Sequence, residues 1–306
     1  MTDTVEPTRP TTPQLTPRSD RDAFAPLDWG LFTAIGLIWG SSFLLIDIGL
    51  DHFHPGFITW ARVSLGAAAL AVLPRSRGHV ERDDWRRITV LSVVWVTVPF
   101  TLFPLAEEHI TSAVTGMLNG AVPFFAGLIG GLFFDRVPRG PQRLGILVGF
   151  VGIVLVSLGS SGGGGNAAIG VAMVLAATFC YGLATNLATG ITQRYGSLVV
   201  TSRMLALAAV WTAPFGLWGL ARSEFAVSSA AAVTVLGVLG TAVAYAFMGT
   251  LVSRVGATRA SFITYLIPVV ALFLGVAFRD ETVEAVALVG VVLVIGGAVL
   301  ASRQEA

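Results

Sequence analysis

Between residues 30 and 301 the chain passes through ten apolar stretches, each near the length of a membrane-spanning helix, joined by short polar links. They run 30–50, 57–73, 88–105, 112–134, 144–158, 168–191, 198–220, 230–252, 260–278 and 285–301. A helix needs roughly 20 residues to cross the hydrocarbon core. Inside lipid every backbone N–H and C=O must be paired within its own element, so such stretches read as spanning helices. Charged residues make up only 12% of the chain, half the roughly 25% that clothes a soluble domain. That excludes an ordinary cytosolic enzyme and a disordered protein. A net charge of +1 gives no basic field for nucleic acid. One cysteine, Cys180, excludes a disulfide framework and any Cys-based metal cluster. Segment 1–28 is polar and rich in Thr, Pro and Arg, and is expected to be a disordered cytoplasmic tail without a signal-peptide core.

Arginine gives the orientation. All nineteen basic residues are Arg. With the tail in the cytoplasm, fifteen fall in the tail, in alternate links or at the C-terminus. Only Arg222 and Arg279 fall outside, and Arg62 and Arg203 lie inside helices. This is the positive-inside pattern, and it puts both termini in the cytoplasm; the Ala/Arg-rich, Lys-free composition suggests a GC-rich bacterial genome, hence a bacterial inner membrane.

The two halves repeat each other. Trp39-Gly40 matches Tyr181-Gly182 at an offset of 142, and Arg62 matches Arg203 at 141. Pro123, Asp135, Gly145 and Gly152 match Pro268, Asp280, Gly290 and Gly297 at 145. Five helices per unit is an odd number, so the second unit enters from the opposite side. The expected fold is all-α and integral to the membrane: ten transmembrane helices in two inverted five-helix repeats, 29–160 and 161–303. Such repeats build alternating-access carriers with a midplane site.

The stretch Ile38-Trp39-Gly40-Ser41-Ser42-Phe43 resembles the first-helix motif of EamA-type carriers in the drug/metabolite transporter superfamily, and Ala61-Arg62 resembles their second helix. Thr111-Ser112-Ala113 followed by Pro123 is similar to the fourth-helix pattern. Gly256-Ala257, Ala260-Ser261, Tyr265-Leu266-Ile267-Pro268 and Glu281 are similar to the ninth. The resemblance covers about residues 30–302. It implies ten helices, cytoplasmic termini and secondary transport, usually export, of amino acids, metabolites or drugs. One departure stands at the fourth helix end, where Phe134-Asp135-Arg136 replaces the usual Leu-Gly-Glu.

Residues that can bind substrate are the polar and aromatic ones at membrane depth. Arg62 and Arg203 sit about five residues inside their helices, where a charge faces a partner, a wet cavity or, by snorkelling, the headgroups. Asp47 is a candidate partner for Arg62 across the first hairpin; Arg203 has no acid near it in sequence. Trp39 and Tyr181 sit beside glycines and can wall a cavity or pack between helices. Asn119 and Asn186 can contact a ligand or bond helix to helix. Tyr245 and Tyr265 are further cavity candidates. Asp47 is read as the sole carboxylate within the bilayer, hence the candidate for proton coupling. His52, His54, Glu107, Glu108 and His109 gather at the outer mouth and are read as a solvated loop face. A zinc site or a proton-sensing vestibule are its alternatives.

No cofactor or metal is expected. A chain without Lys has no P-loop, which excludes ATP-driven transport by this chain. The expected partners are a small-molecule substrate and membrane lipid, with a homodimer left open. The function expected is secondary export of small metabolites such as amino acids. An intramembrane enzyme on lipid-linked substrates, a lipid flippase and a channel are the rivals. The enzyme lacks paired catalytic groups at depth, and the channel lacks a charged ring or continuous polar face.

Overall fold

A computed structural model describes residues 25–133, 140–159 and 165–302. Residues 1–24 of the tail, Asp135, Arg136, Arg139, the glycines 162–164 and Arg303 lie outside the described residues. Every regular element among those described is helical. We label the rods α1 Pro26–Leu50, α2 Pro55–Val72, α3 Arg82–Glu107, α4 Ser112–Phe133, α5 Pro141–Gly159, α6 Gly165–Tyr195, α7 Ser197–Leu220, α8 Val227–Val255, α9 Ile263–Arg279 and α10 Ala285–Ser302. Seven of them, α1–α4 and α6–α8, are long and apolar enough to cross a membrane; α5, α9 and α10 are shorter apolar helices.

Two expected boundaries move for local reasons. Helix α1 starts at Pro26, not after residue 28. Proline suits a first helical position because its missing N–H would be unpaired there, and Asp28 is buried and paired with Arg254. Helix α3 runs two residues beyond Leu105, so Glu107 belongs to the span rather than to the outer loop.

Three helices are irregular. Helix α3 contains a π segment at Ser92–Thr97, and α8 contains one at Val238–Val243, 146 residues later. A π turn frees a carbonyl. In each, a threonine one wide turn on donates to it: Thr97 to Ser92 O at 3.0 Å, Thr241 to Leu236 O at 3.2 Å. Helix α4 breaks at Gly120–Ala121, ahead of Pro123, whose ring has no N–H to continue the ladder. Gly120 and Ala121 close the first segment with tighter bonds to Met117 O and Leu118 O.

Contacts between the first five helices and the last five come in exchanged pairs. Helix α2 packs on α7, and α5 on α10. Helix α1 packs on α8 and α9, while α6 packs on their counterparts α3 and α4. Glycine sets the closest approaches, as small residues do where helices associate in lipid. A Cβ on Gly40 would stand 2.4 Å from Val270, and one on Gly182 would stand 2.7 Å from the Ala126 nitrogen. The two crossings, α1 on α9 and α6 on α4, are related by exchanging the halves. Along α5–α10, a Cβ on Gly297 would lie 2.4 Å from the Gly149 nitrogen and 2.6 Å from the Gly145 oxygen. Backbone cannot yield as a side chain can. Gly297→Ala is therefore expected to destabilise the protein by about 1–3 kcal/mol, the usual cost of overpacking. Gly190→Ala meets nothing within 4 Å and should leave stability unchanged or slightly raised. Thermal unfolding of the two detergent-solubilised variants checks this; equal midpoints would mean the two helices are not in backbone contact.

Candidate substrate site between the two halves

Arg62 lies at the meeting of both π segments. It is only 6% exposed. Its Nε donates to Thr241 Oγ1 at 3.3 Å, inside the π segment of α8. Its guanidinium carbon stands 3.8 Å from the ring centre of Phe100, just beyond the π segment of α3, a cation–π contact. One turn earlier on α2, Thr59 donates to Pro55 O and to Phe100 O, both at 3.0 Å, which fixes α2 against α3. The fork has five N–H donors. Its terminal amino groups have no acceptor among the described residues.

Aromatic rings from both halves surround this cation. Trp39 of α1 meets Tyr245 of α8 edge-on at 5.8 Å between centroids. Tyr181 of α6 lies 5.9 Å from Phe103 of α3, which meets Phe43 of α1 at 5.5 Å. Tyr181 touches both apolar clusters of the core. Arg62 is within electrostatic range of the Tyr181 and Tyr245 hydroxyls and of Glu107. Four of the sequence candidates, Trp39, Arg62, Tyr181 and Tyr245, thus converge. The arrangement is a flat cation with free donors on an aromatic wall, suited to a small molecule carrying a carboxylate.

The other candidates lie elsewhere. Asn186 spends its amide on Ala126 O of α4 and Gly182 O, at 3.0 and 2.9 Å, so it bonds α6 to α4. Asn119 is buried at the break in α4, with an Oδ1 that has no partner. Tyr265 is half-buried and stacks on Phe262 at the start of α9. Arg203 donates to the Gly78 carbonyl at 3.2 Å and lines a separate cleft of about 430 Å³ with His79, Val80, Trp85 and Leu207. It is not brought to Arg62.

Asp47 does not pair with Arg62. It faces Arg279 at the end of α9, which also binds Asp51 through two bonds, 2.7 and 3.0 Å. Asp280 follows with φ 52°, a left-handed turn that Asp tolerates. That turn sends Glu281 back to cap α4: it accepts from Ser112 N, Ser112 Oγ and Ala113 N at 3.0, 2.6 and 2.8 Å. His52 contacts Ser229 Oγ at 3.1 Å, and His54 caps α2 by accepting from Gly56 N. Among the described residues no group of three His, Cys, Asp or Glu is arranged to hold a metal. At the other end of the rods, Asp28 pairs with Arg254. Arg194 pairs there with Glu81 and with Asp84, both at 2.7 Å. The ion pairs Asp28–Arg254, Asp47/Asp51–Arg279 and Glu81/Asp84–Arg194 all join one half to the other.

Comparison with known proteins bears on these halves separately. The model of the EamA-like transporter family matches residues 28–158 and again 168–303. The chain belongs to the EamA-like transporter family. This EamA-like protein is a multi-pass membrane transporter with two EamA-like domains. It is similar to an uncharacterized transporter of Archaeoglobus fulgidus, 22% identical over 90% of this chain and 99% of that one. It is similar to a probable terminal-alkyne amino-acid exporter of Streptantibioticus cattleyicolor, 25% identical over 90% and 93%. A probable amino-acid metabolite efflux pump of Escherichia coli is 24% identical over 88% and 93%. A protein of known crystal structure aligns with a TM-score of 0.62 at 17% identity, over 90% of this chain and 96% of that one, a likeness of fold alone.

Proposed function

We propose that this transporter exports amino acids or closely related carboxylates by alternating access, as ten spans in two inverted five-helix repeats with both termini in the bacterial cytoplasm. The uncommitted guanidinium of Arg62, enclosed between the halves, carries this reading. A buried cation needs a counter-charge in contact; Glu107 is within electrostatic range but makes no bond to it, and a ligand carboxylate can reach the open donors. The two separate family matches and the exchanged helix contacts support the repeat. Helices α5, α9 and α10 have 19, 17 and 18 residues, within the roughly 17–25 that span a bilayer. The two relatives named for amino-acid export support the substrate class.

Counterflow of radiolabelled amino acids into proteoliposomes tests the substrate. An amino acid should be exchanged at least tenfold faster than its decarboxylated amine, the discrimination expected when a buried donor pair is left unmet. Equal rates would refute a carboxylate site. A reporter active only outside the cytoplasm, fused at Ala306, should stay silent; activity there would refute the inverted ten-span arrangement.

A further inference from the structure

Glu107 is the one carboxylate among the described residues that is buried with both oxygens unpartnered. It is 8% exposed, at the outer end of α3, and it forms part of the wall of a cleft of about 330 Å³ at the outer mouth. Each neighbouring element presents a charged or titratable group, and most are already engaged. From α1, Asp47 is taken by Arg279 of α9. From beyond α9, Glu281 is spent on the first turn of α4. From α2, Arg62 is within electrostatic range but rests on Phe100 and Thr241. Its own chain contributes His109, which lines the cleft, and α6 contributes Tyr181 near Arg62.

Two of these neighbours, Asp47 and Glu281, are acids within electrostatic range. A bare carboxylate enclosed beside two others, without a donor, is the arrangement a protein avoids unless a cation neutralises it. A proton fits here, since among the described residues no group of three His, Cys, Asp or Glu is arranged to hold a metal. We propose that Glu107 is the proton-binding group of the transport cycle: its carboxyl takes a proton from the outer solution when the cleft admits water and keeps it while enclosed. This rests on the reading of the protein as a secondary transporter, and it moves the coupling role from Asp47 to Glu107. Asp47 already has a counter-ion in contact, whereas Glu107 has Arg62 only at a distance and no bonded partner.

The proton is its own probe. Full-length protein in liposomes, without substrate, is titrated from acid to alkaline pH by infrared difference spectroscopy. The wild type should show the carbonyl stretch of a protonated carboxylic acid at neutral pH. Glu107→Gln should lose that band, Asp47→Asn should keep it, and Glu107→Asp should shift it. A wild type without the band, or a band that survives Glu107→Gln, overturns the proposal. So does its loss in Asp47→Asn. A pH-sensitive dye inside the liposomes gives a second readout: transported amino acid should move protons in the wild type and not in Glu107→Gln. If no amino acid is carried, the export reading fails, while the band still decides whether Glu107 holds a proton.

Discussion

Arg62→Gln is expected to reduce amino-acid counterflow about 100-fold, and Arg62→Lys to recover only a small part of it. Two parallel charged hydrogen bonds to a carboxylate contribute about 1.5–3 kcal/mol each, and a tenfold effect corresponds to about 1.4 kcal/mol, so 100-fold is a conservative figure. Lysine restores charge but not shape. An ammonium has no plane to lie on Phe100 and no Nε to reach Thr241, the two contacts that aim the free end of the fork. Thr241→Val separates aiming from binding: it removes the hydrogen bond and keeps the charge, and should cost about tenfold. The measurement is counterflow at matched membrane abundance for all four proteins. If Arg62→Gln carries amino acids at the wild-type rate, Arg62 is a packing residue and the site lies elsewhere.

The helices were legible because lipid demands long apolar runs and permits few exceptions. The division into two domains was legible because glycines at helix crossings and prolines at breaks are read by identity, and Gly40, Gly182, Gly152, Gly290 and Gly297 do lie at crossings. The convergence of Trp39, Arg62, Tyr181 and Tyr245 was visible only as a set of polar residues at depth. Which of them meet depends on the two π segments, and a π turn leaves no clear mark in residue order. The two segments share no residue pattern: Ser92 and Thr97 stand at the ends of the first, and Thr241 alone stands inside the second. Arg203 shares Arg62's register but lacks its surroundings. Its side chain reaches a loop carbonyl, so matched sequence position does not carry matched role. Nearness in sequence points Asp47 at Arg62, yet Arg279, 232 residues away, takes it through the α1–α9 packing. Glu107-Glu108-His109 reads as a loop in sequence, which hides Glu107 as a membrane carboxylate; a helix that ends only after Glu107 buries the first of the three.

The outer clamp gives a second large effect. Arg279→Glu should hold the outer end open and cut export at least tenfold. In the wild type Arg279 holds Asp47 and Asp51 of the first half against α9 of the second. Partial exposure limits what such a pair adds to stability, about 1 kcal/mol or less by surface standards. Reversal does something different: it sets a fifth carboxylate at a mouth that already holds four, Asp47, Asp51 and, in the cleft wall, Glu107 and Glu281. Like charges at this spacing repel wherever the two halves close, so the closed state suffers and the open state does not. Outer accessibility reports the shift. In a Cys180→Ser background, His109→Cys places one thiol in the cleft wall, and an impermeant maleimide should label it severalfold faster with Arg279→Glu than without. Adding Asp51→Arg to Arg279→Glu restores opposite charges with their positions exchanged, and should return labelling and export part of the way to wild type. Labelling that does not respond to the reversal, with export intact, would mean that the clamp breaks in neither state and that the halves move against each other about some other contact.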